Sequence, residues 1–105
     1  IEVVRTYQSL LAKQKEFALF GQFMRSGTSI GANIAEAQEA QSKADFISKM
    51  SIALKESKEC SYWIKLLEAT GYLQAQKAEK LKNECESLSK LLTSIIKSTK
   101  EGTKK

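Results

Sequence analysis

The sequence of 105 residues contains no proline, so no imino acid interrupts a helix anywhere along the chain. Only five glycines are present, and the good helix formers Ala, Leu, Lys, Glu and Gln dominate the composition. Apolar residues recur at the three- and four-residue spacing of amphipathic helices, and we find no convincing strand. The sequence therefore predicts an all-α protein, with residues 1–105 forming one domain.

Four helical segments and a frayed basic tail are predicted, with these bounds: residues 2–13, 16–40, 43–70, 74–99 and, for the tail, 100–105. The polar run from Lys13 to Glu16 is interpreted as a break or a bend between the first two helices. Ser42 and Asp45 have the spacing of a capping box, and Gly71 supplies the left-handed residue that ends the third helix. Short connections between amphipathic helices predict an antiparallel up-down four-helix bundle.

The third predicted helix carries two apolar stripes, one more than the core of a single bundle requires. The first stripe is expected to face the core and comprises Phe46, Met50, Ala53, Ser57, Cys60, Ile64 and Leu67. The second would be exposed on a monomer, and we expect it to contact another copy through Ile52, Tyr62, Trp63 and Leu66. Ordinary core packing is the alternative for Trp63. A ring of copies would satisfy every subunit with one repeated contact.

The two cysteines are expected to meet. If the hairpin of the third and fourth predicted helices turns near Gly71, residues whose numbers add up to about 145 lie opposite each other on the two helices. This register pairs Cys60 with Cys85. We predict buried and reduced thiols, because free cysteines pack as small hydrophobic residues. A disulfide is the alternative.

The composition argues against an enzyme. There is no histidine, and two cysteines cannot complete a four-ligand zinc site, so we expect no catalytic residue, cofactor, metal or small-molecule substrate.

The net charge is +5, and most of the excess positive charge lies in the last third of the chain. This basic character favours an acidic partner, with RNA or DNA first. The candidate nucleic-acid contacts share one face of the last helix: Lys82, Lys90, Lys97 and Lys100. Because acids alternate with them, a solvated face of ion pairs is the alternative.

A polar stripe follows the second predicted helix and comprises Gln22, Arg25, Ser29, Asn33 and Glu36. Two interpretations remain open: a solvated or hydrogen-bonded face that fixes the helix register, and a binding surface or subunit contact. Catalysis by Glu36 is disfavoured, since a lone carboxylate lacks the second acid or base that such chemistry needs.

The segment from Arg25 to Ala37 resembles the signature of a bacterial four-helix bundle family that is encoded in intervening sequences of large-subunit ribosomal RNA genes. The positions that match the family pattern are Ser29, Ile30, Asn33, Ile34 and Glu36. Further similarity extends the resemblance to roughly residues 17–97. Ala37 stands where the family usually has glycine, and Gly31 stands where it often has proline.

The resemblance implies an up-down bundle, a ring-shaped homopentamer and no catalytic activity. It also implies a relation to ring proteins that bind nucleic acid as accessories of diversity-generating retroelements. We therefore expect a non-enzymatic oligomeric scaffold or adaptor that grips nucleic acid or a nucleic-acid enzyme. A plain protein-interaction bundle without a nucleic-acid role is the alternative.

No stretch has the ~20 apolar residues that span a bilayer, and no signal peptide opens the sequence, so we expect a cytoplasmic protein that does not bind membranes. Because residue 1 is Ile and not Met, we expect an N-terminal piece to precede it.

Overall fold

The computed structural model describes residues 2–102, and it contains three helices. They are α1 (Glu2–Gln38), α2 (Lys43–Ala69) and α3 (Ala75–Gly102). No strand occurs within the described residues. The all-α prediction is confirmed, whereas the predicted four-helix bundle is wrong.

The error lies in the first two predicted helices, which are one continuous helix in the structure. The run from Lys13 to Glu16 is helical throughout and does not break α1 into two elements. Lys, Gln and Glu are good helix formers, and this run contains no Gly, Pro or capping residue that could end a helix. At the other end of the chain, α3 continues through Lys100 to Gly102, so this part of the expected frayed tail is helical. The rest of that tail, residues 103–105, lies outside the described residues.

Both ends of α2 form as the sequence predicts. The Ser42 hydroxyl accepts a hydrogen bond from the Asp45 amide at 3.0 Å, which satisfies one free donor of the first turn. Gly71 has φ +84°, a conformation that glycine adopts without steric penalty. The amide of Tyr72 donates to the Leu67 carbonyl at 2.9 Å and that of Gly71 to the Glu68 carbonyl at 3.1 Å. These two bonds form a Schellman motif, which ends α2 and turns the chain towards α3.

The predicted register of the α2–α3 hairpin is confirmed. The buried Ser57 hydroxyl lies 2.7 Å from that of Ser89 and donates to the Cys85 carbonyl at 3.2 Å. The predicted core stripe of α2 is buried at six of its seven positions, and Phe46 is half-buried. On α3 the buried positions are Ala78, Leu92 and Ile96.

Helix α2 lies between the other two helices and packs against both, while the backbones of α1 and α3 do not approach each other. Two clusters form the core. One joins the end of α1 to the start of α2 and the end of α3, through Ala37, Met50 and Leu92. The other joins Ile30 of α1 to Ile64 and Cys60 of α2 and to the start of α3.

The first part of α1 projects beyond this packed region. The Phe20 ring contacts the Tyr72 ring of the α2–α3 turn, with centroids 6.4 Å apart. Residues 2–15 are all exposed, and we call them the N-terminal arm. The molecule measures 72 × 27 × 14 Å, and its radius of gyration of 18.2 Å exceeds the ~13 Å of a compact chain of this length. The arm is thus a helical extension without tertiary packing of its own.

Candidate functional site

The polar stripe of α1 connects α1 to α2. Arg25 forms ion pairs with Glu59 at 3.1 Å and with Glu56 at 3.4 Å, and its Nε donates to the Gln22 side chain at 3.2 Å. Glu36 pairs with Lys49 of α2 at 3.1 Å. These contacts favour the interpretation that part of the stripe fixes the register of α1 against α2.

The remaining members of this stripe bond locally. The Asn33 amide donates to the Ser29 carbonyl at 2.9 Å and to its hydroxyl at 3.2 Å, one turn earlier in the same helix. Ser26, which follows Arg25 in α1, is fully buried. Its small hydroxyl side chain allows the close helix approach that a larger residue would prevent.

The second apolar stripe of α2 is only partly exposed. Ile52 and Tyr62 are exposed, whereas Trp63 and Leu66 are half-buried. The Trp63 ring meets the Tyr62 ring edge-on, with centroids 5.1 Å apart. Beside Tyr62, a shallow depression of about 520 Å³ follows α2 past Leu54.

The four candidate lysines of α3 do not form one site. Lys82 pairs with Glu68 of α2 at 3.1 Å, and not with one of the acids that alternate with the lysines on its own helix. Lys97 and Lys100 line a depression near the end of α3, together with Glu101. Only Lys90 faces the groove that separates the middle of α3 from α2.

That groove gathers lysines which the sequence pattern of a single helix does not reveal. Lys58 and Lys65 of α2 lie in it opposite Lys90 of α3, around a space of about 370 Å³. The hydroxyls of Ser61 and Ser89 and the carboxylate of Glu86 complete its polar lining. Among the described residues, none of the three lysines has an acid within ion-pair distance. We call this the basic groove, and with three lysines to one acid it attracts anions.

Cys60 and Cys85 meet across α2 and α3, as predicted, and both are free thiols. Cys60 is buried and Cys85 is half-buried, so full burial of both was wrong. Burial, with the neighbouring Cys85 thiol as a further cause, raises the pKa of Cys60 from 9.0 to about 12. Burial also raises the pKa of Cys85. Thiols that stay protonated are poor nucleophiles.

The described residues contain no group of three His, Cys, Asp or Glu side chains that could hold a metal ion. No helix within residues 2–102 has the length and apolar content to cross a membrane.

One surface was missed by the sequence analysis. Within residues 2–102, ten large apolar side chains are exposed, and seven of them lie on the first two thirds of α1. These seven are Val3, Val4, Tyr7, Leu10, Leu11, Phe17 and Met24. Their helical spacing is visible in the sequence, but spacing alone does not show whether an apolar face is buried or exposed. We call this set the apolar stripe of α1.

Comparison with known proteins gives the family. The family model described as 23S rRNA-intervening sequence protein matches residues 1–94. A crystal structure of a protein of unknown function from the S23 ribosomal protein family of Bacteroides thetaiotaomicron is also similar. It is 51% identical, the match covers 91% of this chain and 89% of that one, and the TM-score is 0.77. No functionally curated protein matches this chain. The resemblance in the Arg25–Ala37 segment is thereby confirmed, and the chain belongs to the 23S rRNA-intervening sequence protein family.

Proposed function

We propose that the protein is a non-enzymatic, self-associating helical scaffold that binds the phosphate backbone of nucleic acid through the basic groove. The observation that carries this proposal is the placement of Lys58, Lys65 and Lys90 around one space with no ion-pairing acid among the described residues. Lysines that already pair with acids would have to break those pairs to bind phosphate. The lysines of this groove have no ion pair to break, so they bind phosphate without that cost.

The chemistry of the groove favours binding that tolerates any sequence. Its other polar lining groups are the Ser61 and Ser89 hydroxyls, which can donate to phosphate oxygens, and the Glu86 carboxylate, which repels them. None of the lining residues is aromatic, so the groove offers no surface on which bases stack. Contacts of this kind release counterions, and the affinity therefore falls steeply with salt.

Self-association would compensate for the small size of a single groove. One copy presents three lysines, but a ring of copies presents this set once per subunit, and linked sites raise the overall affinity. The family description names 23S rRNA, which makes a structured RNA hairpin a suitable first probe. The five-subunit ring implied by the family resemblance and a cytoplasmic location are parts of this proposal.

The test replaces all three groove lysines by glutamine and measures RNA binding across a salt series. We expect the slope of log affinity against log salt to become shallower by about one per lysine that contacts a phosphate. Affinity at low salt should fall at least tenfold. The matched control replaces Lys43, Lys77 and Lys80, which are exposed and lie outside the groove, so that the net charge changes equally.

The comparison of these two variants decides the result. If the control loses as much affinity as the groove variant, binding reflects net charge and the groove has no special role. If the wild-type protein binds RNA and DNA no better than millimolar at low salt, the nucleic-acid part of the proposal is wrong. The second candidate function, a protein-interaction scaffold without nucleic acid, would then remain, and the exposed apolar stripe of α1 supports it.

A further inference from the structure

Tyr62 is an exposed aromatic side chain on the same face of α2 as lysines of the basic groove. At ~100° per residue, Lys55, Lys58, Tyr62 and Lys65 lie within about 80° of the helix circumference. Tyr62 is 58% exposed, although it belongs to the helix that packs against both others. This row thus combines positive charges with an aromatic ring that the core leaves more than half exposed.

The depression beside Tyr62 and the basic groove are neighbouring parts of one surface, because Lys58 lines both of them. The other residues that line the depression are Ser51, Leu54, Lys55, Glu59 and Tyr62. Along the helix axis, Lys58 precedes Tyr62 by about 6 Å and Lys65 follows it by about 4.5 Å, at a rise of ~1.5 Å per residue. The ring therefore lies between two lysines of the groove.

The charge of the depression is positive, because its acid is already paired. Glu59 lines the depression, but its carboxylate forms an ion pair with Arg25 of α1 at 3.1 Å. Among the described residues, Lys55 and Lys58 have no acid within ion-pair distance. An anion that enters the depression thus meets two lysines without breaking an ion pair, and Arg25 offsets the repulsion by Glu59.

The Tyr62 ring is held in position by the next residue of the chain. The Trp63 ring meets it edge-on, with centroids 5.1 Å apart and an angle of 73° between the planes. Trp63 is half-buried, and aromatic pairs favour this geometry, so the contact restrains the Tyr62 side chain. A ring that is oriented before binding loses less conformational freedom when a ligand packs on it.

An aromatic ring between two cations matches the parts of a nucleotide within a single strand. Each such nucleotide has a phosphate on either side of its base. Bases of any sequence stack on aromatic side chains, while a basic surface follows the phosphates. In a duplex the bases are paired and stacked on one another, so their faces cannot reach a protein side chain unless the pair opens.

We propose that Tyr62 stacks on an unpaired base of single-stranded RNA or DNA, while Lys58 and Lys65 contact the phosphates on the two sides of that base. This inference rests on the proposed function and deepens it, since it names single-stranded nucleic acid as the ligand. The groove has no aromatic lining residue, and the neighbouring depression supplies one. In a structured RNA, the contact selects loops and single-stranded ends over paired stems.

The test compares oligouridine with a fully paired RNA duplex that has the same number of phosphates. Tyr62→Ala removes the ring, and we expect affinity for oligouridine to fall about tenfold, as for the loss of one stacked base, while affinity for the duplex changes less than about twofold. The slope of log affinity against log salt should stay the same, because no phosphate contact is removed. Tyr62→Phe keeps the aromatic surface and should bind like the wild type.

Tyr7→Ala is the matched control, because it removes the same side chain from an exposed position that lines neither the depression nor the groove. It should leave the ratio of the affinities for oligouridine and duplex unchanged. This ratio is the deciding readout, because a loss of assembly or of folded protein lowers binding to both probes together.

Fluorescence gives a second readout, because Trp63 is the only tryptophan in the sequence and packs edge-on against Tyr62. Binding of oligouridine to the wild-type protein should change the Trp63 emission more than binding of the duplex does. An emission that stays constant while oligouridine binds would place the strand away from Tyr62 and overturn the proposal.

The outcomes separate this inference from the proposed function. If Tyr62→Ala lowers both affinities by the same factor, or leaves both unchanged, no base stacks on Tyr62 and the inference is wrong. The proposed function still holds in that case if replacing the three groove lysines weakens binding of both probes. If the wild-type protein binds neither probe better than millimolar at low salt, the nucleic-acid part of the proposed function is wrong, and the inference with it.

Discussion

The packed middle of α2 and the N-terminal arm of α1 are built from similar residues, yet their environments are opposite. Each region is part of a long helix, and both helices are rich in Leu, Lys and Glu or Gln. In α2, six residues of the core stripe are buried between α1 and α3. In the arm, Val3, Tyr7 and Leu10 have the same helical spacing and remain exposed. An apolar stripe shows that a helix has a partner, but it does not show which helix the partner is.

The largest expected difference between the two regions is the cost of removing a leucine. Leu67 is fully buried, so Leu67→Ala should lower the free energy of unfolding by about 2–5 kcal/mol through lost burial and a cavity. Leu10 is 56% exposed, and Leu10→Ala should cost less than about 0.5 kcal/mol in the monomer. Urea unfolding at a concentration below assembly measures both. Equal costs would mean that the arm packs within its own chain.

Alkaline pH should weaken the packed region through Cys60. Its pKa is raised to about 12, so the folded chain stays protonated while the unfolded chain ionises above pH 9. Above pH 9 the unfolded state therefore binds fewer protons than the folded state. The free energy of unfolding is unaffected by Cys60 below pH 9, and it falls by up to about 4 kcal/mol between pH 9 and 12. Unfolding of wild type and Cys60→Ala over this range measures the effect. A Cys60→Ala variant whose stability falls with the same slope over this range would contradict the prediction.

Glycine replacements should change stability less than Leu67→Ala does, and the sign should depend on position. Gly71→Ala should destabilise by about 1–2 kcal/mol, because φ +84° forces Cβ towards the following carbonyl oxygen. A Cβ at Gly31 meets nothing within 4 Å, and Gly31→Ala should stabilise the monomer by about 0.5–1 kcal/mol. Thermal unfolding measures both variants. A loss of stability at Gly31 would show that another helix approaches α1 closely there.

The sequence by itself determined the elements whose cause is local. The Ser42 cap, the Gly71 turn and the core stripe of α2 follow from hydrogen bonds and steric limits within a few residues. The α2–α3 register followed from the position of that turn, and Ser57 and Ser89 confirm it. The family also followed from the sequence, because the segment around Asn33 is distinctive as a string of residues.

Only the tertiary structure decided the features that depend on which helix faces which. The residues from Lys13 to Glu16 favour a continuous helix, but a break there could still be favoured by packing in a bundle, and only the arrangement of the helices decides between the two. The basic groove joins Lys58 and Lys90, which are 32 positions apart and on different helices, so no spacing within one helix predicts it. Burial of Ser26 depends on how closely α2 approaches α1. Helical periodicity identifies an apolar or charged face, but the neighbour that this face meets is set by the three-dimensional arrangement of the helices.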